Sequence, residues 1–241
     1  MHLRRPSTTL VSIAVAWMLV LVSGGCSERP DTVVIVGDSI AEEAVPYLDD
    51  QLDGVKLVPH VFGGTAPCDW TVEELDVHEG DLVVVSFTGN SFTPCMADGA
   101  GGHLGGDDLV AKYAADLGAL VKGVRDRGGE VLLVAQPERG PAAPDSAELH
   151  GINDALASLA DQDGVSLVDA GAAVEADDGT FTAQLPCLEG EQECGPRGQN
   201  PVRNLDGVHL CPENPAGRQC PVYASGAFRF ATAIADAIES R

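Results

Sequence analysis

A serine, an aspartate and a histidine, placed in two short segments at opposite ends of the chain, are the residues best suited to chemistry. Ser39 lies in Gly-Asp-Ser-Ile directly after the apolar run 33–36, and residues 206–209 read Asp-Gly-Val-His. A serine hydroxyl is a weak nucleophile at neutral pH and needs a base, which a histidine oriented by a carboxylate supplies. Either segment alone is common in loops. Their joint order predicts a nucleophile (Ser39), a base (His209) and an orienting carboxylate (Asp206).

The elements that must position these residues alternate between strands and helices. Apolar runs typical of buried strands cover residues 33–36, 55–62, 82–87, 131–135 and 165–168. Helical patterns cover residues 40–52, 107–127, 145–160 and 223–238. This alternation predicts a three-layer α/β/α domain with a five-stranded parallel sheet. We expect residues 177–202, which are polar and glycine-rich, to leave the core as an excursion.

Polar and glycine residues follow the first three predicted strands. Ser39 follows the first, Gly63-Gly64 the second and Gly89-Asn90 the third. Ligands of parallel sheets bind at the carboxyl ends of the strands, so we expect these segments to meet there. Trp70 and Phe92 flank the expected site from loops and could form a platform for an acyl group or a sugar, although ordinary packing explains them equally well.

The composition limits the classes of partner. The chain has 241 residues, 44% of them hydrophobic, and a formal net charge of −23. That length suits one domain, and such an acidic surface repels nucleic acid and anionic lipid head groups. We expect no nucleic-acid partner, no cofactor and no metal; zinc is the competing interpretation of the cysteines, but they lack the spacing of zinc ligands.

The N-terminus resembles an export signal. Arg4 and Arg5 precede an apolar stretch at residues 10–22, which is short for a membrane span, and Ser-Gly-Gly-Cys follows at residues 23–26. Small residues before Cys26 resemble a bacterial lipobox, in which this cysteine is lipidated and becomes the mature N-terminus. The alternative is an ordinary cleaved secretory signal. We therefore expect a signal peptide over residues 1–26, a linker over 27–31, a catalytic domain over 32–241, and a location outside the cell, either anchored to the membrane through Cys26 or secreted.

The number of cysteines agrees with export. Apart from Cys26 there are six, an even number that suggests three disulfides in an exported chain. Sequence alone does not choose among the possible pairings. The pairing that we expect is Cys68–Cys95, Cys187–Cys194 and Cys211–Cys220. The last two would close short loops, and the first would join two loops beside the expected site.

These segments together resemble the SGNH (GDSL-type) hydrolases, which are defined by Ser, Gly, Asn and His on four short blocks. Residues 37–40 match the first block with Ile in place of Leu, and residues 206–209 match the DxxH of the last. The resemblance covers residues 32–240 and implies a flavodoxin-like fold. It also implies an oxyanion hole made by the backbone N–H groups of Ser39 and Gly64 and the amide of Asn90, with Gly63 as the alternative to Gly64. The third block departs from the usual Gly-x-Asn-Asp, because a glycine directly precedes Asn90 and a serine follows it.

The resemblance implies an extracellular or membrane-anchored serine ester hydrolase. Its expected substrates are small acyl esters, such as acetyl groups on envelope glycans. An O-acyltransferase would use the same triad with a sugar hydroxyl in place of water. A binding lipoprotein without catalytic activity is the third possibility, and the altered Asn90 block is its only support.

Overall fold

The five predicted strands form one parallel sheet. The computed structural model describes residues 29–143, 146–213 and 220–241; the predicted signal segment and Cys26 lie outside them. The strands are β1 (Thr32–Gly37), β2 (Lys56–Val61), β3 (Leu82–Ser86), β4 (Glu130–Val134) and β5 (Val165–Val168). They pair in parallel in the order β2-β1-β3-β4-β5. The predicted α/β class with a five-stranded parallel sheet is confirmed.

In the part of the chain that the structure describes, four helices cover the two faces of this sheet. They are α1 (Ser39–Gln51), α2 (Gly106–Asp126), α3 (Ser146–Leu159) and α4 (Ser225–Glu239). Helices α1 and α4 pack together on one face, and α2 and α3 pack together on the other. The helices begin and end within two residues of the predicted bounds, because their apolar spacing sets the buried face.

Burial on both faces explains why the strands have continuous apolar runs. In β1, Val33 and Ile35 belong to the core beneath α1 and α4, whereas Val34 and Val36 belong to the core beneath α2 and α3. Successive side chains of a strand point to opposite faces. All four positions are therefore buried. A polar side chain would be unfavourable at any of them, so apolar and polar residues do not alternate along β1.

The segment predicted to leave the core forms a small separate sheet. Strands β6 (Gln184–Pro186) and β7 (Gln199–Pro201) pair antiparallel. The expected disulfides Cys187–Cys194, Cys68–Cys95 and Cys211–Cys220 are all present. Within the described ranges, no helix has both the length and the hydropathy that crossing a bilayer requires.

Candidate active site

Ser39 occupies the position that the sequence predicts, at the first residue of α1 just beyond the carboxyl end of β1. Asp38 caps this helix, since its side chain accepts a hydrogen bond from the Ile40 N–H at 3.2 Å. Gly37 is required here: a Cβ at this position would lie 2.2 Å from the Ser86 carbonyl oxygen. The tight junction between strand and helix thus holds the Ser39 hydroxyl at the edge of the sheet.

The structure brings Ser39, His209 and Asp206 into one hydrogen-bonded chain. His209 Nε2 lies 2.9 Å from Ser39 Oγ across 170 residues of sequence. On the other side of the ring, His209 Nδ1 lies 2.7 Å from Asp206 Oδ2. One imidazole therefore contacts both the hydroxyl and the carboxylate, an arrangement in which it can take the serine proton while the carboxylate stabilises the resulting cation.

Asp206 also holds the turn in which it lies. Its Oδ1 accepts hydrogen bonds from the N–H groups of Val208 at 2.8 Å and His209 at 3.0 Å. Partial burial raises the pKa of Asp206, but the bonds from the His209 side chain and from these two backbone groups outweigh it, so the pKa lies below its ordinary value. The carboxylate is therefore ionised at neutral pH and available to the imidazole.

The two glycines after β2 are distinguished by a neighbouring carboxylate. The Gly63 N–H donates to Glu42 Oε2 at 3.0 Å. Gly64, with φ of +86°, lines the same cleft as Ser39, and none of the residues that the structure describes accepts a hydrogen bond from its N–H. Of the pair, Gly64 has the N–H group that could stabilise an oxyanion.

Asn90 also lines this cleft, but its amide has partners in the protein. Its Nδ2 donates to Asp38 Oδ2 at 2.8 Å and, over a longer distance of 3.3 Å, to the Thr65 carbonyl oxygen. The loop is held from below by Tyr113, whose hydroxyl donates to the Asn90 carbonyl oxygen at 2.8 Å. The altered block therefore still places an amide beside Ser39.

Asp38 connects the nucleophile to this loop, a role that sequence analysis did not find. It is fully buried, and its Oδ2 accepts hydrogen bonds from the Thr88 N–H at 2.6 Å, the Thr88 hydroxyl at 2.7 Å and Asn90. Burial raises the pKa of Asp38, while the bonds from Thr88 and Ile40 oppose the rise. Its partners Thr88 and Asn90 lie 50 and 52 residues further along the chain, so no local pattern reveals them.

The cleft around these residues has a volume of about 540 Å³. It is lined by Ser39, Gly63, Gly64, Thr88, Gly89, Asn90, Ser91, Phe92, Arg139, Ala142, Glu148, Asp206, Val208 and His209. Sequence analysis did not find Arg139 or Glu148, which come from a loop after β4 and from α3. Phe92 is 76% exposed at the cleft, but Trp70, the other suggested platform, packs instead against His60 with ring centroids 6.0 Å apart.

The Cys68–Cys95 disulfide joins the two loops that carry Gly64 and Asn90. Each cysteine lies in a short 3₁₀ helix, at Pro67–Asp69 and Pro94–Met96. The cross-link therefore ties together the loops on which the oxyanion donors were predicted. In the described part of the chain, no three His, Cys, Asp or Glu side chains cluster in a way that could hold a metal ion.

A buried glutamate lies beneath the histidine. Glu43 of α1 is fully buried; its Oε2 accepts hydrogen bonds from the N–H groups of Leu210 at 2.7 Å and Cys211 at 3.3 Å. Its Oε1 has no hydrogen-bond partner among the described residues. Burial, aided by the charges of Asp206 and Asp38 and opposed by these two bonds, raises the pKa of Glu43 from 4.5 to about 8.

We expect Glu43→Gln to weaken the pH dependence of stability. Between pH 4.5 and about 8 the folded chain keeps the Glu43 proton that the unfolded chain loses, so the parent is destabilised as pH rises through this interval. Over this interval the parent's free energy of unfolding should fall by up to about 5 kcal/mol more than the variant's, at about 1.4 kcal/mol per pH unit. Urea unfolding at a series of pH values measures this. Asp53→Asn is the control, because Asp53 is an exposed carboxylate just after the same helix. If the free energy of unfolding varies with pH in the same way for the parent and for Glu43→Gln, the raised pKa of Glu43 is contradicted.

The sequence matches a model of a protein family. The family model described as "Protein of unknown function (DUF459)" matches residues 32–219. Comparison of the sequence with curated proteins finds no match.

Several solved structures share the fold. An alpha/beta hydrolase enzyme from the metagenome of Lake Arreo, Spain, is 18% identical, with a TM-score of 0.59, over 90% of this chain and 99% of the other. The C-terminal catalytic domain of peptidoglycan O-acetyltransferase A from Streptococcus pneumoniae, solved with a methylsulfonyl adduct, is 17% identical, with a TM-score of 0.52, over 88% and 94%. A GDSL-like lipase from Bacteroides thetaiotaomicron is 15% identical, with a TM-score of 0.53, over 87% and 88%. The resemblance to the SGNH (GDSL-type) fold that the sequence motifs predicted is confirmed.

Proposed function

The chain belongs to the DUF459 family, and from its site we propose that it is a serine ester hydrolase that works through an acyl-enzyme on Ser39. One observation carries this proposal: the His209 imidazole is hydrogen-bonded to Ser39 Oγ at 2.9 Å and to Asp206 Oδ2 at 2.7 Å. Such a chain activates a hydroxyl that is otherwise a weak nucleophile.

In the first half of the reaction Ser39 Oγ attacks the ester carbonyl carbon. His209 Nε2 takes the hydroxyl proton and returns it to the leaving alcohol, which departs as the acyl-enzyme forms. Asp206 keeps the proton of the neutral ring on Nδ1 and stabilises the imidazolium. In the second half a water molecule loses a proton to His209 and attacks the acyl carbon. The bond to Ser39 Oγ then breaks, His209 returns the proton to Oγ, and the carboxylic acid is released.

The negative charge of the tetrahedral intermediate needs donors that are already in place. The backbone N–H groups of Ser39 and Gly64 and the Asn90 amide line the same cleft and are proposed to supply them. The longer Asn90 contact, to the Thr65 carbonyl oxygen at 3.3 Å, is the one that an oxyanion could replace. Asp38 would then keep the other amide hydrogen and hold the side chain in position.

The proposed substrates are small acyl esters, such as acetyl groups on envelope glycans. The cleft is open, combines the charged side chains of Arg139 and Glu148 with the exposed ring of Phe92, and suits a polar alcohol. An O-acyltransferase is the second candidate, favoured by the similarity to the O-acetyltransferase catalytic domain. The two differ only in whether water or a sugar hydroxyl resolves the acyl-enzyme.

We further propose that the domain acts outside the cell, secreted or anchored through Cys26. Three disulfides support export. Arg29, the first described residue, lines a cavity at the amino ends of β1, β3 and β4, whereas the triad lies at the carboxyl edge. An anchor at Cys26 would therefore leave the cleft facing away from the membrane.

We expect the chain, produced under oxidising conditions, to release acetate from p-nitrophenyl acetate and from an O-acetylated glycan. A fluorophosphonate should add one phosphonyl group to Ser39, because the activated hydroxyl displaces fluoride; mass spectrometry of the Ser39 peptide measures this. Folded protein that neither hydrolyses the esters nor reacts with the fluorophosphonate would favour a binding protein. Labelling of Ser39 together with acetate transfer that requires an added glycan acceptor would favour the acyltransferase.

A further inference from the structure

A buried arginine is hydrogen-bonded to the turn that carries Asp206 and His209. Arg203, which follows β7 at the end of the excursion, is only 3% exposed. Its Nη2 donates to the carbonyl oxygens of Gly207 at 2.9 Å and Val208 at 3.1 Å. These are the two residues between the carboxylate and the imidazole.

The same guanidinium reaches a second loop. Arg203 Nη1 donates to the Glu138 carbonyl oxygen at 2.9 Å, in the loop after β4. That loop touches the turn directly, because the Gly140 N–H donates to the Gly207 carbonyl oxygen at 2.8 Å and a Cβ on Gly207, whose φ is +75°, would lie 2.8 Å from Gly140 Cα. The turn is thus packed against the loop that follows β4, and Arg203 is hydrogen-bonded to both.

The direct contacts of this cation are with carbonyl oxygens and a ring, while the carboxylates of Glu175 and Asp206 act on its charge from further away. Within the described part of the chain no carboxylate oxygen lies within ion-pair distance of Arg203, and its Cζ lies 5.1 Å from the centre of the Phe181 ring. Burial lowers the pKa of Arg203 to about 10. Burying a charge is costly unless its donors are used. The planar guanidinium directs Nη1 and Nη2 at carbonyl groups on two loops at once, and only its Nε lacks a partner among the described residues. A lysine has all its donors on one nitrogen and fits this arrangement less well.

We propose that Arg203 is a positioning residue, which sets the distance between His209 and Ser39 by fixing the backbone of the 206–209 turn. This inference rests on the proposed function of the triad. Arg203 is not among the described residues that line the catalytic cleft, so it acts through the turn. Glu43 holds the other end of the same segment, at Leu210 and Cys211. The excursion therefore contributes to the site, because it places Arg203 beside the 206–209 turn.

The test compares Arg203→Lys with Arg229→Lys in the full chain. Arg229 is a matched control: it is 5% exposed, belongs to α4, and donates to Glu191 at 2.7 Å and the Pro186 carbonyl oxygen at 2.6 Å, within the excursion but away from the turn. A third variant, Phe181→Leu, removes the ring beside the guanidinium and disturbs the fold less. For each we would measure kcat and KM on p-nitrophenyl acetate, the melting temperature, and the NMR signal of the His209 Nδ1 proton.

We expect Arg203→Lys to lower kcat by about 10- to 100-fold with little change in KM, since small misplacements of a base are costly. The Nδ1 proton signal should weaken, Phe181→Leu should show a smaller loss of kcat, and Arg229→Lys should lose stability but keep kcat. Unchanged kcat and an unchanged signal in Arg203→Lys would overturn the proposal, as would equal losses of kcat in the two lysine variants. If Arg203→Lys fails to fold, the proposal is judged on Phe181→Leu instead, and an unchanged kcat together with an unchanged Nδ1 proton signal in that variant would overturn it. If the parent hydrolyses no ester, the proposed function fails, and the imidazole signal alone decides the positioning role.

Discussion

Replacing Ser39 with alanine is expected to lower kcat for ester hydrolysis by about 10⁴-fold or more. The variant has no atom to form the acyl-enzyme, and the imidazole is left without a proton to take. The helix and its cap should be unaffected, because Asp38 rather than Ser39 caps α1, so the melting temperature should change little. Steady-state hydrolysis of p-nitrophenyl acetate by the folded variant measures the effect.

Ser91→Ala is the matched control for this prediction. Ser91 lines the same cleft but, among the described residues, makes no hydrogen bond with His209 or Asp206, so its loss should leave kcat within a few-fold of the parent. Because Ser39 and His209 act as a unit, a variant lacking both should be no slower than Ser39→Ala. Activity that survives in Ser39→Ala would remove Ser39 as the nucleophile.

The second large effect is expected for Asn90→Ala, with a loss in kcat of about 10²- to 10³-fold. The amide donates to charge that develops only in the transition state, so KM should change much less than kcat. The side chain is already oriented by Asp38 at 2.8 Å, so only the longer contact to the Thr65 carbonyl oxygen has to be exchanged when the oxyanion forms. Initial rates over a range of ester concentrations separate the two constants.

Asn153→Ala is a control that removes a similar amide outside the cleft. Asn153 bonds the backbone of Gln136 at 2.9 Å and 3.0 Å just after β4, so its loss should cost stability without a specific loss in kcat. If Asn90→Ala raises KM and leaves kcat unchanged, the amide binds the ground state of the ester, and the oxyanion hole consists of backbone groups alone.

Much of the fold follows from local patterns. The apolar runs of β1, β3 and β4 mark strands covered on both faces, and the apolar spacing of α2 marks a helix. Each pattern is complete within about 5 to 20 residues, so it can be read without knowledge of the rest of the chain. Gly37 is different, because it must be small to avoid the Ser86 carbonyl oxygen of β3, which is distant along the chain.

The sequence by itself determined the sheet, the order of its elements and the residues of the proposed triad, because strand–helix alternation and two short motifs place Ser39 and His209 without reference to distant contacts. Only the tertiary structure showed that the Gly63 N–H is already bound by the Glu42 carboxylate. It alone showed that Trp70 packs away from the cleft, and that Arg203 holds the catalytic turn. Contacts of this second kind join residues that are distant along the chain, and they form only when the packing of the sheet, the helices and the excursion brings those residues together.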